Sequence, residues 1–269
     1  MTKYMEYFGF KTTPFPTTIA PKNLLKLPDM IGIKERLDYT LNLGGIMLVT
    51  GEVGSGKSTA LRWAMSHYHP NELTTVEVVS NSASLNELYK QLCWALNLDV
   101  NSGSRSLLSR MIKNAIRDLV VGKKQKVLLV IDEANLLRID VFAELHTLTQ
   151  FNHDTVSPFA IALVGQTTLA DKLTYRSSSP LASRVVAKTH LKSITKDQMQ
   201  EYLHHHLKIA GVKKSLFGDD AVTAIHQGSS GLLREANNLA RGGMIAAAAE
   251  GCELVGAEHI RIASTELII

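Results

Sequence analysis

Cysteine is scarce: Cys93 and Cys252 are the only two in 269 residues, and they lie far apart in the chain. A disulfide-stapled fold is excluded, and a reducing, cytoplasmic setting is expected. Long apolar runs are missing as well. Aliphatic stretches such as Val127 to Ile131 fall far short of the ~18 residues of a membrane-spanning helix. The opening Met1-Thr2-Lys3-Tyr4-Met5-Glu6-Tyr7 lacks the basic start and apolar run of a secretory signal. Neither charge sign dominates, 29 Lys+Arg against 25 Asp+Glu giving +4, and there is no internal repeat or low-complexity tract. Disordered and collagen-like classes are excluded by the same composition. What is present is 45% apolar residues, and at ~150 residues per domain the length suits one or two compact domains.

Charge is unevenly spread. Residues 1–188 hold 21 Lys+Arg against 16 Asp+Glu, whereas residues 189–269 hold 8 against 9. The excess concentrates where Arg105, Arg110, Lys113, Arg117, Lys123, Lys124 and Lys126 face only Asp118. Such a stretch is either a polyanion-binding surface or a solvated helix face followed by a polar loop.

Pro14, Pro16, Pro21 and Pro28 fall in the first thirty residues, which are expected to form an extended arm anchored by Phe8, Phe10 and Phe15. Ile46 to Thr50 reads as a strand and Ser58 to Ser66 as a helix, with a glycine loop between them. Thr74 to Val79 reads as a second strand, and Ser84 to Leu96 as a helix with Ser84 and Glu87 in a capping box. From about Ser106 a further helix places Leu107, Leu108, Met111, Ile112, Ala115, Ile116 and Leu119 on one face and Arg110, Lys113 and Arg117 on the other. Val127 to Ile131 and Phe159 to Val164 have the continuous aliphatic character of parallel strands buried on both faces. Beyond Thr195 the β signal fades into three helices, Asp197 to Ala210, Asp219 to Gln227 and Leu232 to Ala249. The expected architecture is α/β: an arm over residues 1–30, a doubly wound parallel sheet over 31–190, and a small helical domain over 191–269.

Gly51-Glu52-Val53-Gly54-Ser55-Gly56-Lys57-Ser58 fits the phosphate-loop pattern, and Thr59 continues it into the helix. Its glycines free backbone N–H groups to turn toward phosphate oxygens, and the helix adds its positive N-terminal end. Lys57 is expected on the β- and γ-phosphates and the Ser58 hydroxyl on Mg²⁺. Farther along, Val127 to Ile131 ends in Asp132-Glu133. A carboxylate at the C-terminal end of a buried strand lies in the ligand crevice of an open α/β sheet. Asp132 is expected to assist Mg²⁺, and Glu133 to orient and deprotonate the attacking water. Two acids after a strand also commonly cap a helix, so it is the pairing with the loop that points to hydrolysis of a nucleoside triphosphate, with ATP and Mg²⁺ as cofactors. His204-His205-His206 suggests a metal site at first sight, but successive helical residues diverge, and an exposed helix turn is expected. Cys93 and Cys252 are expected as small residues buried in helices.

Both motifs, with the sequence around them, resemble the AAA+ ATPases, and more closely the ExeA-like branch that includes transposition helper ATPases. The resemblance runs through Tyr7-Phe8-Gly9-Phe10 with Pro14-Phe15, Gly51 to Ser58, Asp132-Glu133-Ala134, Val164-Gly165-Gln166, Leu181-Ala182-Ser183-Arg184 and Gly231-Leu232-Leu233-Arg234-Glu235-Ala236-Asn237. It implies a P-loop AAA+ sheet with a C-terminal helical lid. It makes Gln166 the first sensor, contacting the γ-phosphate or the water, and Arg234 the lid arginine. Arg184 becomes the arginine finger supplied to a neighbouring subunit, with Arg176 competing for that role, and Ser80 or Asn81 the residue that restrains Glu133 before a ligand binds. Gln166 stands where wider AAA+ proteins carry Asn or Thr, and Leu233 where the branch often has proline. A finger acting in trans demands a second protomer, hence a ring or helical filament.

Fold alone does not specify the task. The reading taken from the sequence is a DNA-binding regulator of transposition that assembles on duplex DNA, selects a target and recruits or stimulates a transposase, without a membrane partner. Arg105, Arg110, Lys113 and Arg117 would contact phosphates. The alternatives are an ExeA-type secretion or envelope-assembly ATPase, which normally adds a membrane segment and a peptidoglycan-binding region, and a replication initiator or helicase loader, which normally adds a DNA-reading module.

Overall fold

The computed structural model describes residues 3–81, 84–101, 103–150 and 159–266. The chain forms two compact units, one of Leu27–Gly51 with Lys57–Leu191, the other of Met1–Lys26, Glu52–Gly56 and Lys192–Ile269.

The first unit is built on five parallel strands, β1 (Ile46–Gly51), β2 (Leu73–Val79), β3 (Lys126–Asp132), β4 (Ala160–Gly165) and β5 (Val185–Leu191), in the order β2-β3-β4-β1-β5. Every residue of β1 and β4 is buried, as is the whole Val127–Ile131 interior of β3, because helices cover both faces of the central sheet. The edge strands have a different composition. In β2, Leu73, Val76 and Val78 are buried while Thr75, Glu77 and Val79 are exposed, and in β5, Lys188 and His190 face out between buried Ala187, Thr189 and Leu191. Of the two edge strands only β2 is read from the sequence; β5, with Lys188 and His190 interrupting a short apolar run, is not. Helix Arg105–Arg117 buries Leu108, Ile112 and Ile116 at i, i+4 and i+8, leaving Arg110 and Arg117 exposed. Ser84 caps Leu85–Ala95 by accepting the Glu87 N–H.

Parallel pairing sends the C-terminal ends of β1, β3 and β4 to one edge of the sheet. Thr50 pairs with Gly165 and Ile131 with Leu163, so Gly51 and Gln166 emerge side by side and Asp132 ends its strand two residues behind Gln166 at the same edge. The opposite edge carries Arg184, whose carbonyl accepts the Ile46 N–H at 2.9 Å.

The second unit packs the helices Lys196–Ile209, Asp219–Gly228, Leu233–Ala249 and Ala257–Glu266. Close approach of the last two depends on glycine: a Cβ at Gly243 would lie 2.3 Å from Ile260 Cδ1, and one at Gly242 2.6 Å from Ala263 Cβ. The N-terminal residues, expected as an extended arm, contain a helical turn at Lys3–Tyr7 and belong to this unit. Phe10 and Phe15 are buried, and the Lys11 N–H donates to the Ala210 carbonyl at 2.9 Å. The Phe15 ring stacks on His206 at 5.0 Å between centroids.

The histidine triplet is therefore not an exposed turn. His204 is exposed and His205 half-buried, its Nε2 lying 2.8 Å from the Asn23 carbonyl, but His206 is 4% exposed, between Phe15 and Tyr202. Burial, helped by the neighbouring His205, lowers its pKa to about 4. The unfolded imidazole titrates near ~6.5, so below that pH the unfolded chain takes up a proton that the folded chain refuses. Stability is expected to fall as the pH drops from about 6.5 to about 4, by about 3 kcal/mol over the window. Thermal melting of the protein and of His206→Leu between pH 7 and 4.5 checks this. The variant should lose much of the slope, and parallel curves would sink the assignment.

Candidate nucleotide site

The glycine loop takes its shape from backbone conformations that only glycine adopts freely. Gly54 and Gly56 have φ of 83° and 92°, and the Ser55 N–H donates to the Glu52 carbonyl at 3.2 Å. Within the second unit the loop also lies against the start of helix Leu233–Ala249. The Arg234 N–H donates to the Gly54 carbonyl at 3.2 Å, and a Cβ at Gly54 would come within 2.6 Å of Glu235 Oε2. Glu52 and Val53 point outward, Ser55 is buried, and the Arg234 side chain is exposed.

In the first unit the helix Lys57–Met65 starts immediately beyond the loop. Lys57 is 7% exposed and its Nζ donates to the Gly51 carbonyl at 3.0 Å. Ser58 Oγ donates to Asp132 Oδ2 at 2.7 Å, so residues 74 positions apart meet across β4. Thr59 is half-buried one position on. A hydroxyl beside a carboxylate is a hard-oxygen pair suited to Mg²⁺, which fits the donor set expected from the sequence.

Asp132 also accepts the Glu133 N–H through Oδ1 at 2.9 Å. Glu133 is half-buried with φ of 51°, a left-handed conformation that turns the chain out of β3 into the 3₁₀ turn Ala134–Leu136. Gln166 follows β4 directly and is half-buried, its N–H accepted by Asn135 Oδ1 at 3.0 Å. Asn135, together with Lys172, is the part of this edge that no motif in the sequence marks. A lone amide after an acidic pair carries no spacing signal, because its partner comes from another strand. Ser80 is buried, its N–H donating to the Asp132 carbonyl at 2.8 Å and its hydroxyl to the Asn81 carbonyl at 3.2 Å.

The remaining arginines lie elsewhere. Arg184 is half-buried at the start of β5, with Nη1 donating to the Pro180 carbonyl at 2.6 Å, and Arg176 is exposed in a 3₁₀ turn. The five steps from Ile46 to Gly51 along β1, at ~3.3 Å each, put about 17 Å between the Arg184 end of the sheet and the loop end. Of the basic stretch, Arg105 pairs with Glu144 at 2.5 Å and Lys113 donates to the Gln150 carbonyl at 2.9 Å, while Arg110, Arg117, Lys123 and Lys124 are exposed.

Cys93 is buried in helix Leu85–Ala95, and burial raises its thiol pKa. Cys252 corrects the expectation of a helical site: it lies half-buried beyond helix Leu233–Ala249, with ligand atoms of Glu250, Cys252 and His259 all within 4.8 Å of one another. The ring of His259 argues against a metal there. Its Nδ1 accepts the Gly256 N–H at 2.9 Å, which puts the imidazole proton on Nε2, facing Glu250 Oε2 at 3.2 Å. His259, with Glu250 behind it, braces the start of helix Ala257–Glu266.

Residues 41–173 match the family described as "AAA domain". The chain is 28% identical over 267 residues to general secretion pathway protein A of Aeromonas hydrophila, a match covering 98% of this chain and 48% of that protein. It thus spans about half the length of this curated relative. Among solved structures, Cdc6p from Pyrobaculum aerophilum superposes with a TM-score of 0.75 at 20% identity, covering 95% of this chain and 70% of the other. The ORC1 protein of Aeropyrum pernix in complex with DNA gives 0.65 at 17%, covering 91% and 66%. Among the described residues no helix is long and apolar enough to cross a membrane. The five-stranded order, the glycine loop after β1 and the carboxylates at the end of β3 agree with these matches: the chain has the P-loop AAA+ fold, its residues 41–173 match the AAA domain family, and along nearly its whole length it is similar to general secretion pathway protein A.

Proposed function

We propose that the protein binds ATP and Mg²⁺ and hydrolyses ATP to ADP and phosphate, and that nucleotide controls its self-association. The observation that carries this reading is the Ser58–Asp132 hydrogen bond of 2.7 Å, which joins the two motifs beside the buried Lys57. In the proposed reaction the N–H groups of the glycine loop donate to the phosphates, with Lys57 exchanging the Gly51 carbonyl for phosphate oxygens. Mg²⁺, when bound, would be held by Ser58 and Asp132 and would offset phosphate charge. Glu133 takes the proton of the attacking water, Gln166 orients it, and Arg234 senses the γ-phosphate.

Arg184 bears on assembly. It is held at the far end of the sheet from Gly51 in its own chain, which supports its acting as a finger on a neighbouring copy, with Arg176 the competing position. A ring or filament follows from that reading.

For the task of the assembled ATPase we propose regulation of transposition on duplex DNA, with a transposase as partner. The exposed Arg110, Arg117, Lys123 and Lys124 supply a phosphate-neutralising surface, and the fold is shared with ORC1, solved in complex with DNA. Arg105, paired with Glu144, and Lys113, on the Gln150 carbonyl, lie beside them. The second reading, an ATPase in secretion, is favoured by the match to general secretion pathway protein A along almost the whole chain. Electron microscopy with duplex DNA and a slowly hydrolysed ATP analogue separates them. Nucleotide-dependent rings or filaments on DNA support the first, and particles that ignore DNA support the second. If the DNA reading holds, replacing Arg110, Arg117, Lys123 and Lys124 by Ala should weaken binding and reduce the log–log salt slope by about 0.9 for each phosphate no longer neutralised. An unchanged slope would move the DNA surface elsewhere.

A further inference from the structure

The base and the sensor of the proposed reaction sit on different strands, Glu133 after β3 and Gln166 after β4, and side chains outside both motifs tie them together. Asn135 is 7% exposed, and its Oδ1 accepts the Gln166 N–H at 3.0 Å. Lys172, on the helix Thr168–Thr174 that follows Gln166, donates its Nζ to the carbonyls of Asn135 at 2.5 Å and Leu137 at 2.7 Å. The contact depends on Gly165: a Cβ there would lie 2.4 Å from Asn135 Oδ1 and 3.0 Å from its backbone nitrogen. Glu133 has a left-handed backbone, which in a residue other than glycine persists only where its surroundings hold it. The turn that does so is closed by the Leu136 N–H on the Glu133 carbonyl at 2.8 Å, and Lys172 fastens the carbonyls of Asn135 and Leu137.

We infer that Asn135 and Lys172 are positioning residues for hydrolysis: they lock the turn carrying Glu133 to the loop carrying Gln166, so that base and sensor keep one relative geometry. The inference rests on the ATPase reading. Its chemistry is that of alignment. A general base acts only within hydrogen-bond reach of the proton it removes, and a misplacement of about 1 Å costs on the order of 10²-fold in rate. Without Asn135 Oδ1 the Gln166 N–H loses its acceptor, and without Lys172 two carbonyls of the turn lose their donor.

The test compares steady-state ATP hydrolysis with ADP affinity in the full chain. Asn135→Leu and Lys172→Met are expected to lower kcat by roughly 10- to 10²-fold while KM for ATP and Kd for ADP change little. Asn135→Asp, which keeps an acceptor oxygen, and Lys172→Arg, which keeps the donors, should recover most of the rate. Combining Asn135→Leu with Gln166→Ala should slow hydrolysis no further than the more damaging single change, because Asn135 acts through the Gln166 loop. Should Asn135→Leu not fold, the Lys172 pair carries the same comparison. Wild-type kcat in both Asn135→Leu and Lys172→Met, or a fall in kcat matched by the same fall in ADP affinity and not rescued by the conservative changes, overturns the inference and leaves the ATPase reading standing. A native protein that does not hydrolyse ATP overturns both.

Discussion

Glu133→Gln is expected to retain ATP while hydrolysing it roughly 10²- to 10⁴-fold more slowly, the usual worth of a general base. The substitution is nearly isosteric. It keeps an oxygen that can hold water in place and removes the ability to take up its proton, so ground-state binding survives and the chemical step does not. The local backbone should tolerate it, because the left-handed turn at 133 is held through main-chain atoms, by Asp132 Oδ1 on its N–H and by the Leu136 N–H on its carbonyl. Single-turnover hydrolysis and retention of labelled nucleotide on the purified protein measure the two halves separately. In the DNA reading the same variant stays longer on DNA, since release follows hydrolysis. Hydrolysis at the wild-type rate would remove Glu133 from the role of base.

The second large effect is expected of Lys57→Ala. The ammonium is buried, and the Gly51 carbonyl that holds it at 3.0 Å belongs to the strand feeding the loop. Removing it takes away a charge-assisted contact to phosphate, and with hydrogen bonds to charged groups worth ~1.5–3 kcal/mol, ATP and ADP affinity should drop about 10²-fold. Nucleotide-dependent assembly should disappear with it. Calorimetric titration against both nucleotides, with thermal melting as the control for folding, gives the result. Unchanged affinity in a folded variant would mean that the phosphates lie elsewhere.

The parts of this site legible in the sequence are those whose physics is local. Gly54 and Gly56 are marked by a backbone conformation that other residues resist, and Asp132 and Glu133 by the aliphatic run that ends in them. The buried face of Arg105–Arg117 follows from helical spacing alone. Where a residue's role depends on a partner from another element, spacing is silent. Asn135 and Gln166 are 31 positions apart, and they meet because β4 lies beside β3. The histidine triplet misleads for the same reason: the phenyl ring that covers His206 comes from the other end of the chain.

The sequence by itself determined the strand, glycine loop and helix, the burial of β3 and β4 on both faces, and the helical character of the C-terminal residues, because each is set by side-chain periodicity or by φ preferences within a few residues. The tertiary structure alone decided that β5, with its alternating composition, closes the sheet beside β1, and that Phe15 roofs His206. It also decided that Arg184 stands at the far end of the sheet from Gly51, and that Asn135 and Lys172 tie the turn after Glu133 to the segment that starts at Gln166. Those outcomes depend on strand order and on which faces meet in the core, and a contact made across a sheet leaves no periodic trace along the chain.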